Sequence, residues 1–218
     1  LVGPSASIYL SNNSSNYIES ARLFNEKNWL SFFESLRIGN SYRPPLFSIL
    51  ISWYFEFISN DILNLVKFFK VIYFVFLLLF FYLLKYYSNK YISLSILFLI
   101  IFNPRFFLEA HQIDSNYLVI ILILFSMIIL LNSNEKKSFI IVSSIIYTTS
   151  FFIKETSLIY LPAYSLIIII KHRLKLQNLF IFNFTLSILF IPWFIVVYFL
   201  TGKFSTALGG ISPDFFTY

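Results

Sequence analysis

Long uncharged apolar runs constrain this chain more than any other feature of its sequence. A helix that crosses a bilayer needs about 20 mostly apolar residues. Hydrophobic residues make up 58% of the 218 and charged residues 12%, against about 25% charged residues in soluble domains. The sequence therefore predicts an all-α, polytopic membrane protein, in which 64–200 form a six-helix transmembrane bundle. Its apolar segments, several of them short for a bilayer, are 64–86, 90–104, 115–132, 139–153, 156–170 and 177–200.

Residues 1–63 are more polar, and we expect them to form an external loop with amphipathic, juxtamembrane helices. Asn16 followed by Glu19 reads as an N-cap with its capping-box partner. An apolar face then recurs at helical spacing, and Gly39 is the expected stop. Such a face favours helices that lie on a membrane surface; a small soluble cap is the alternative. The face comprises Tyr17, Ala21, Phe24, Trp29, Phe32, Phe33 and Leu36.

A seventh apolar stretch, 45–59, follows Pro44 and contains Glu56. It has about 15 residues, which is short for a span, so we interpret it as a re-entrant or juxtamembrane helix. The alternative is that 45–59 crosses the bilayer, which would move 1–43 to the other side. Residues 201–218 would begin a further external loop, and we expect the chain to be a piece of a longer protein.

Charge asymmetry predicts the orientation. The loops 85–90, 133–138 and 171–175 lie on one side of a six-helix arrangement and hold a single acid, Glu135. The other nine acids lie on the opposite side. Because cytoplasmic loops are enriched in Lys and Arg, the basic loops are predicted to be cytoplasmic. They carry Lys85, Lys90, Lys136, Lys137, Lys171, Arg173 and Lys175.

The composition limits the kinds of chemistry and of partner that this chain can have. The chain has no Cys, which excludes disulfides and thiolate catalysis within it. Its net charge of +6 is explained by the basic loops, and no basic stripe with interleaved aromatics indicates a nucleic-acid partner. We find no phosphate-binding loop, dinucleotide motif or nucleophile elbow.

The candidate acids lie on the predicted non-cytoplasmic side. Asp114 comes just before the segment 115–132, where a carboxylate gains about 0.3–1 kcal/mol from the helix dipole. It is either a plain N-cap or an acid that faces a cavity. Glu109 and His111 precede it, and the three could together ligate a hard cation. Their spacing is not a metal signature, however, so a divalent cation is compatible with them but not indicated, and no cofactor is required.

Two cationic side chains, Lys154 and Arg43, also have both a structural and a functional interpretation. Lys154 and Glu155 interrupt an otherwise uncharged run from 139 to 170. They form either a polar turn with a local ion pair or a turn whose lysine binds a phosphate. Arg43, before Pro44, has a planar fork that suits phosphate better than lysine does.

In order and spacing, these residues resemble membrane glycosyltransferases of the GT-C fold. The likeness is to the protein O-mannosyltransferase-like group, glycosyltransferase family 39, and to the bacterial aminoarabinose transferases. It covers nearly the whole chain. It is carried by the stretch 17–22 with its Tyr-x-x-x-Ala pattern, by Arg43-Pro44-Pro45-Leu46-Phe47, by Ile113-Asp114 after Asn103-Pro104, by 152–156 with Pro162, and by Ile191-Pro192-Trp193-Phe194.

The resemblance implies an inverting enzyme in the plasma (inner) membrane, with its active site on the non-cytoplasmic side. Such enzymes move a sugar from a polyprenyl-phosphate donor to a glycan, lipid or protein acceptor. Arg43 and Lys154 would neutralise the donor phosphate, and Asp114 would orient the acceptor or shape the cavity. We take Asp114 and Glu109 as candidate catalytic acids. The accessory candidates are His111, Glu155 and Glu19.

One departure from the family matters. An Asp, often followed by Glu, is expected three or four residues before the Tyr, but Asn13 and Ser14 stand there. The chain is then a divergent or inactive member, or it uses another carboxylate. The alternative function is non-catalytic: a transporter or flippase of lipid-linked sugars, or an assembly subunit.

Overall fold

A computed structural model describes residues 12–38, 41–103, 112–132, 136–171 and 176–201. These residues are almost entirely helical, as predicted, apart from one short hairpin. In chain order the elements are α1 (Asn12–Asn25), α2 (Trp29–Ser35), β1 (Arg37–Ile38), β2 (Ser41–Tyr42), α3 (Leu46–Phe57), α4 (Ile62–Tyr87), α5 (Lys90–Ile101), α6 (Ser115–Leu131), α7 (Lys137–Ile153), a 3₁₀ helix (Glu155–Tyr160), α8 (Leu161–Lys171) and α9 (Leu176–Thr201).

The predicted start of the first helix is wrong. Helix α1 begins at Asn12, so Asn16 lies inside it and accepts a hydrogen bond at its carbonyl from Ser20 Oγ at 2.8 Å. The helix extends further because a distant contact holds its first turn: buried Ser14 donates to the Ile113 carbonyl at 2.7 Å. A capping box between Asn16 and Glu19 therefore does not form.

The predicted apolar face is divided between two helices. Tyr17, Ala21, Phe32 and Leu36 are buried, but Trp29 is 53% exposed. Helix α2 ends at Ser35, and the predicted stop at Gly39 lies outside the described residues. The face is interrupted because the chain turns between α1 and α2, where Lys27 adopts a φ of 56°.

Helix α3 packs on α1 and α4. The Phe47 ring meets Tyr17 edge-on at 4.7 Å and Phe69 at 5.7 Å between centroids. Ser52 of α3 and Asn25 of α1 form a pair of hydrogen bonds. Helix α3 is shorter than the predicted 45–59, and its Glu56 side chain is exposed.

Polar and aromatic contacts hold α6, α7 and α9 together. Ser126 and Ser143 donate hydrogen bonds to each other's carbonyls at 2.7 and 3.0 Å. Ser144 donates to the Phe182 carbonyl at 2.9 Å. Such small residues let helix backbones approach closely. Around them, the fully buried rings of Tyr147, Tyr164 and Phe182 fill the core.

The six apolar segments predicted from the sequence all form helix, with ends shifted by a few residues. The segment 156–170 differs most, because it divides into a 3₁₀ helix and α8. Pro162 explains why α8 begins anew, since proline is tolerated in the first turn of an α-helix. By contrast, Pro192 lies inside α9 without ending it.

Among the described helices, two are long and apolar enough to cross a membrane, Ile62–Tyr86 and Leu176–Leu200. Five apolar helices are shorter: Leu46–Phe57, Lys90–Ile101, Ser115–Leu131, Lys137–Ile153 and Glu155–Ile170. Two of the six predicted spans thus reach the full length of a bilayer-crossing helix.

Candidate functional site

Helices α6 and α7 bring Asp114 and Lys154 to the same end of the fold. Each helix has 17 residues, and the two pack side by side in opposite directions, so the start of α6 lies level with the end of α7. Lys154 ends α7 because its backbone turns to an extended conformation, φ −158° and ψ 125°. Its ammonium group is 3.8 Å from Asp114 Oδ1.

Asp114 is an N-cap with further partners. Its Oδ1 accepts from the Asn116 amide at 3.1 Å and from Ser115 Oγ at 3.3 Å, and its Oδ2 accepts from Asn116 Nδ2 at 2.9 Å. Lys154 Nζ also donates to Asn116 Oδ1 at 2.7 Å. Because a carboxylate has about four lone-pair sites, roughly one site on Asp114 is left for another donor.

Tyr17 of α1 also lies beside Asp114 and its partners. Its side chain is 5% exposed and lies beside the side chain of Ser115. Burial raises the pKa of the Tyr17 phenol above its ordinary 10.0, and the nearby carboxylates of Glu155 and Asp114 raise it further, while Ser115 and Arg43 lower it. The phenol is therefore a neutral hydrogen-bonding group at pH 7.

Arg43 reaches the same place from the hairpin. Its backbone amide donates to the Leu36 carbonyl at 2.9 Å, and Pro44 and Pro45 then lead into α3. These restraints hold the guanidinium carbon 5.4 Å from the centre of the Tyr17 ring, within range of a cation–π contact. Arg43 and Lys154 are thus linked through Tyr17, Ser115 and Asp114. We call this set, with Asn116 and Glu155, the polar cluster.

The other candidate site residues differ in their distance from the polar cluster and in their exposure. Glu155 is half-buried and acts on Tyr17 by its charge. Glu19 is exposed on α1 and makes no hydrogen bond or ion pair with another described residue. Glu109 and His111 lie outside the described residues. Within the described part of the chain, no three His, Asp or Glu side chains gather as metal ligands.

Sequence reasoning missed three members of the polar cluster. Tyr17 was treated as part of an apolar helix face, although its hydroxyl needs a partner when buried. Ser115 and Asn116 follow Asp114 directly. A run of Asp, Ser and Asn at the start of a long apolar helix is a signal that could have indicated them, since such side chains favour caps.

An apolar groove adjoins the polar cluster and is separated from it by the ring of Phe47. It lies between α3 and α4, has a volume of about 310 Å³, and is lined by Phe47, Trp53, Tyr54, Phe68, Ile72 and others of the same kind. Phe47 also packs on Tyr17. The fold therefore places the apolar groove next to the polar cluster.

Comparison with protein-family models, with curated proteins and with solved structures finds no match for this chain.

The contact between Lys154 and Asp114 can be tested by a double-mutant cycle. Lys154→Met and Asp114→Asn, alone and combined, should show a coupling free energy on the order of 1 kcal/mol, within the roughly 0.5–3 kcal/mol found for residues in contact. Chemical unfolding of the purified protein in detergent measures it. Lys85→Met, at an exposed lysine on α4, should not couple with Asp114→Asn. Additive effects of Lys154→Met and Asp114→Asn would contradict the contact.

Proposed function

We propose that this chain is the core of a polytopic membrane glycosyltransferase of the GT-C type. It would move a sugar from a polyprenyl-phosphate donor to a glycan, lipid or protein acceptor at the non-cytoplasmic face of the plasma membrane. The observation that carries the proposal is the polar cluster, in which Arg43, Lys154 and Asp114 meet around Tyr17.

Membrane insertion is supported by the outer faces of the helices. On α4 the exposed side chains Val71, Phe74, Val75 and Leu78 form an apolar stripe that follows the exposed lysines Lys67 and Lys70. A contiguous apolar surface of this kind marks a membrane or protein contact. Helix α7 begins at exposed lysines 136 and 137 and ends beside the polar cluster. By the preference of basic residues for the cytoplasm, the polar cluster would face the opposite side.

The donor phosphate would lie between the two cations. Lys154 has three N–H donors, of which one bonds Asn116. Its contact with Asp114, at 3.8 Å, is an ion pair and not a hydrogen bond, so a second donor would be left for a phosphate oxygen. Arg43 would add its planar fork. Positive charge that is already in place where a phosphate departs stabilises the transition state without reorganisation.

The transfer itself needs a base for the acceptor. An acceptor hydroxyl oxygen attacks the anomeric carbon from the face opposite the phosphate, the bond from that carbon to the phosphate oxygen breaks, and the phosphate leaves with the electron pair. The hydroxyl proton passes to Asp114, through the lone-pair site that its cap leaves open. Attack from the opposite face inverts the sugar configuration.

The apolar groove is an argument for a lipid-linked donor, because it suits the lipid part of such a molecule. A polyprenyl chain is a branched hydrocarbon, and a groove of about 310 Å³ with aromatic and aliphatic walls would accept several of its isoprene units. Its end at Phe47 adjoins Tyr17 and hence the cations. A chain lying there would bring its phosphate to the polar cluster.

One observation favours the non-catalytic alternative. Ser14, at the position where the resembling family has an acid, is a neutral hydroxyl that hydrogen-bonds beside Asp114, at the Ile113 carbonyl. Asp114 in turn is largely engaged in capping α6. A transporter, flippase or assembly subunit would need the cations to hold a phosphate but no base. Single-turnover assays separate the two, because only an enzyme releases polyprenyl phosphate.

Asp114→Asn should abolish sugar transfer with little loss of folded protein. Asparagine caps helices as well as aspartate does, but it cannot accept the proton, so we expect a loss of about 10²–10⁴-fold, as for other general bases. A radiolabelled lipid-linked-sugar assay measures it. Asp61→Asn is the matched control, because Asp61 caps α4 in the same manner, accepting from Leu63 N at 3.0 Å. Normal turnover by Asp114→Asn would exclude the catalytic role.

The orientation is testable because the chain has no Cys. A cysteine at Glu34 should react with a membrane-impermeant maleimide on intact cells, whereas one at Lys136 should react only after permeabilisation. Both side chains are exposed, so access depends on the side of the membrane alone. The reverse pattern would place the polar cluster in the cytoplasm and contradict the proposal.

A further inference from the structure

A second concave surface lies away from the polar cluster, where α1 ends, α2 begins and α3 turns towards α4. Two adjoining depressions of about 240 and 370 Å³ share Asn25, Phe55 and Asn60 as walls. The larger volume falls within the range of about 300–1,000 Å³ typical of small-molecule sites. We call the two together the α1–α3 concavity.

A strained turn forms one rim of this concavity. Lys27 has φ 56°, a left-handed conformation that is unfavourable for an L-residue with a side chain. Its amide donates to the Phe24 carbonyl at 3.0 Å, and the next amide, of Asn28, donates to the Leu23 carbonyl at 3.2 Å. Glycine usually occupies this position of a helix C-terminus. Here a long cationic side chain occupies it instead and lines the concavity.

The concavity has a fixed aromatic wall. Trp29 is 53% exposed, and its ring is held edge-to-face against Phe24, with centroids 5.1 Å apart. An indole with one end apolar and one end polar suits a wet binding surface. Asn25, which lines both depressions, is fixed by its paired hydrogen bonds to Ser52.

The polar walls balance in charge. Arg22 and Lys27 contribute two positive charges, and Glu26 and Glu56 contribute two negative ones. Within the described part of the chain, the side chains of these four residues and of Asn60 make no hydrogen bond or ion pair. Donors and acceptors are therefore both available, and because the four formal charges sum to zero, the walls do not favour a phosphate or a peptide of one net charge.

From these features we infer that the α1–α3 concavity binds a neutral saccharide. Sugar hydroxyls both donate and accept hydrogen bonds, which matches amides, carboxylates and cations on one surface. The C–H face of a pyranose is apolar and stacks on an indole. A few polar groups around an aromatic wall are the usual composition of such small-molecule sites.

The position of the α1–α3 concavity suggests which saccharide it binds. Helix α1 carries Tyr17 at the polar cluster and Asn25 at the concavity, eight residues further on. At 1.5 Å rise per residue, the two lie about 12 Å apart along the helix, so a short glycan could occupy both places. That the bound saccharide is the acceptor glycan rests on the proposed function, whereas the binding itself does not.

Binding is tested on the purified chain in lipid nanodiscs, with an array of neutral manno-, gluco- and galacto-oligosaccharides of two to four sugars as the probe. Saturable binding to at least one of them is expected. Trp29→Ala should weaken it at least tenfold, and Trp29→Phe, which keeps a ring, should weaken it less. Tyr91→Ala is the matched control, because Tyr91 is an aromatic side chain that is 70% exposed on α5 and lines neither the apolar groove nor the concavity. It should bind as the wild type does.

Absence of binding to every neutral probe, or equal binding by the folded Trp29→Ala and Tyr91→Ala variants, would overturn the inference. Stronger binding to sulfated versions of the same oligosaccharides would also overturn it. Glycan binding without any sugar transfer would count against the proposed function alone, and transfer without glycan binding would count against this inference alone.

Discussion

The contact between Lys154 and Asp114 joins the end of α7 to the start of α6, and the rest of the polar cluster is arranged around it. Two partly buried charges, 21% and 16% exposed at their side chains, stay paired because removing one would leave the other poorly solvated. Asn116 bridges them, so the start of one helix and the end of the next are held in fixed register. The serine contacts between Ser126 and Ser143 maintain that register further along.

The helices could be predicted from the sequence because their signal is local. Uncharged apolar runs, interrupted by Lys154 or by polar turns, predict helices at nearly the observed positions. The start of α1 could not be predicted, because it depends on Ser14 meeting the Ile113 carbonyl, 99 residues away in sequence. The division of 156–170 depends on where Pro162 enters a helix, which the apolar pattern does not reveal.

The polar cluster was partly predictable for the same reason. Arg43, Asp114 and Lys154 are conspicuous as charges among apolar residues, so sequence alone indicates them. Tyr17, Ser115 and Asn116 become significant only when the fold brings them together, since each has an ordinary local explanation as a helix-face or capping residue. The saccharide-type surface at the end of α1 has no sequence signature, because its charges cancel and its residues come from three separate segments.

Whether the polar cluster holds a lipid phosphate is the central question. Native mass spectrometry of the purified chain with a short polyprenyl phosphate measures this directly. The account predicts that one molecule binds, and that Arg43→Met combined with Lys154→Met lowers the affinity at least tenfold, while Lys137→Met, at an exposed lysine at the far end of α7, leaves it unchanged. Equal affinity of the wild type and the double variant would contradict the account.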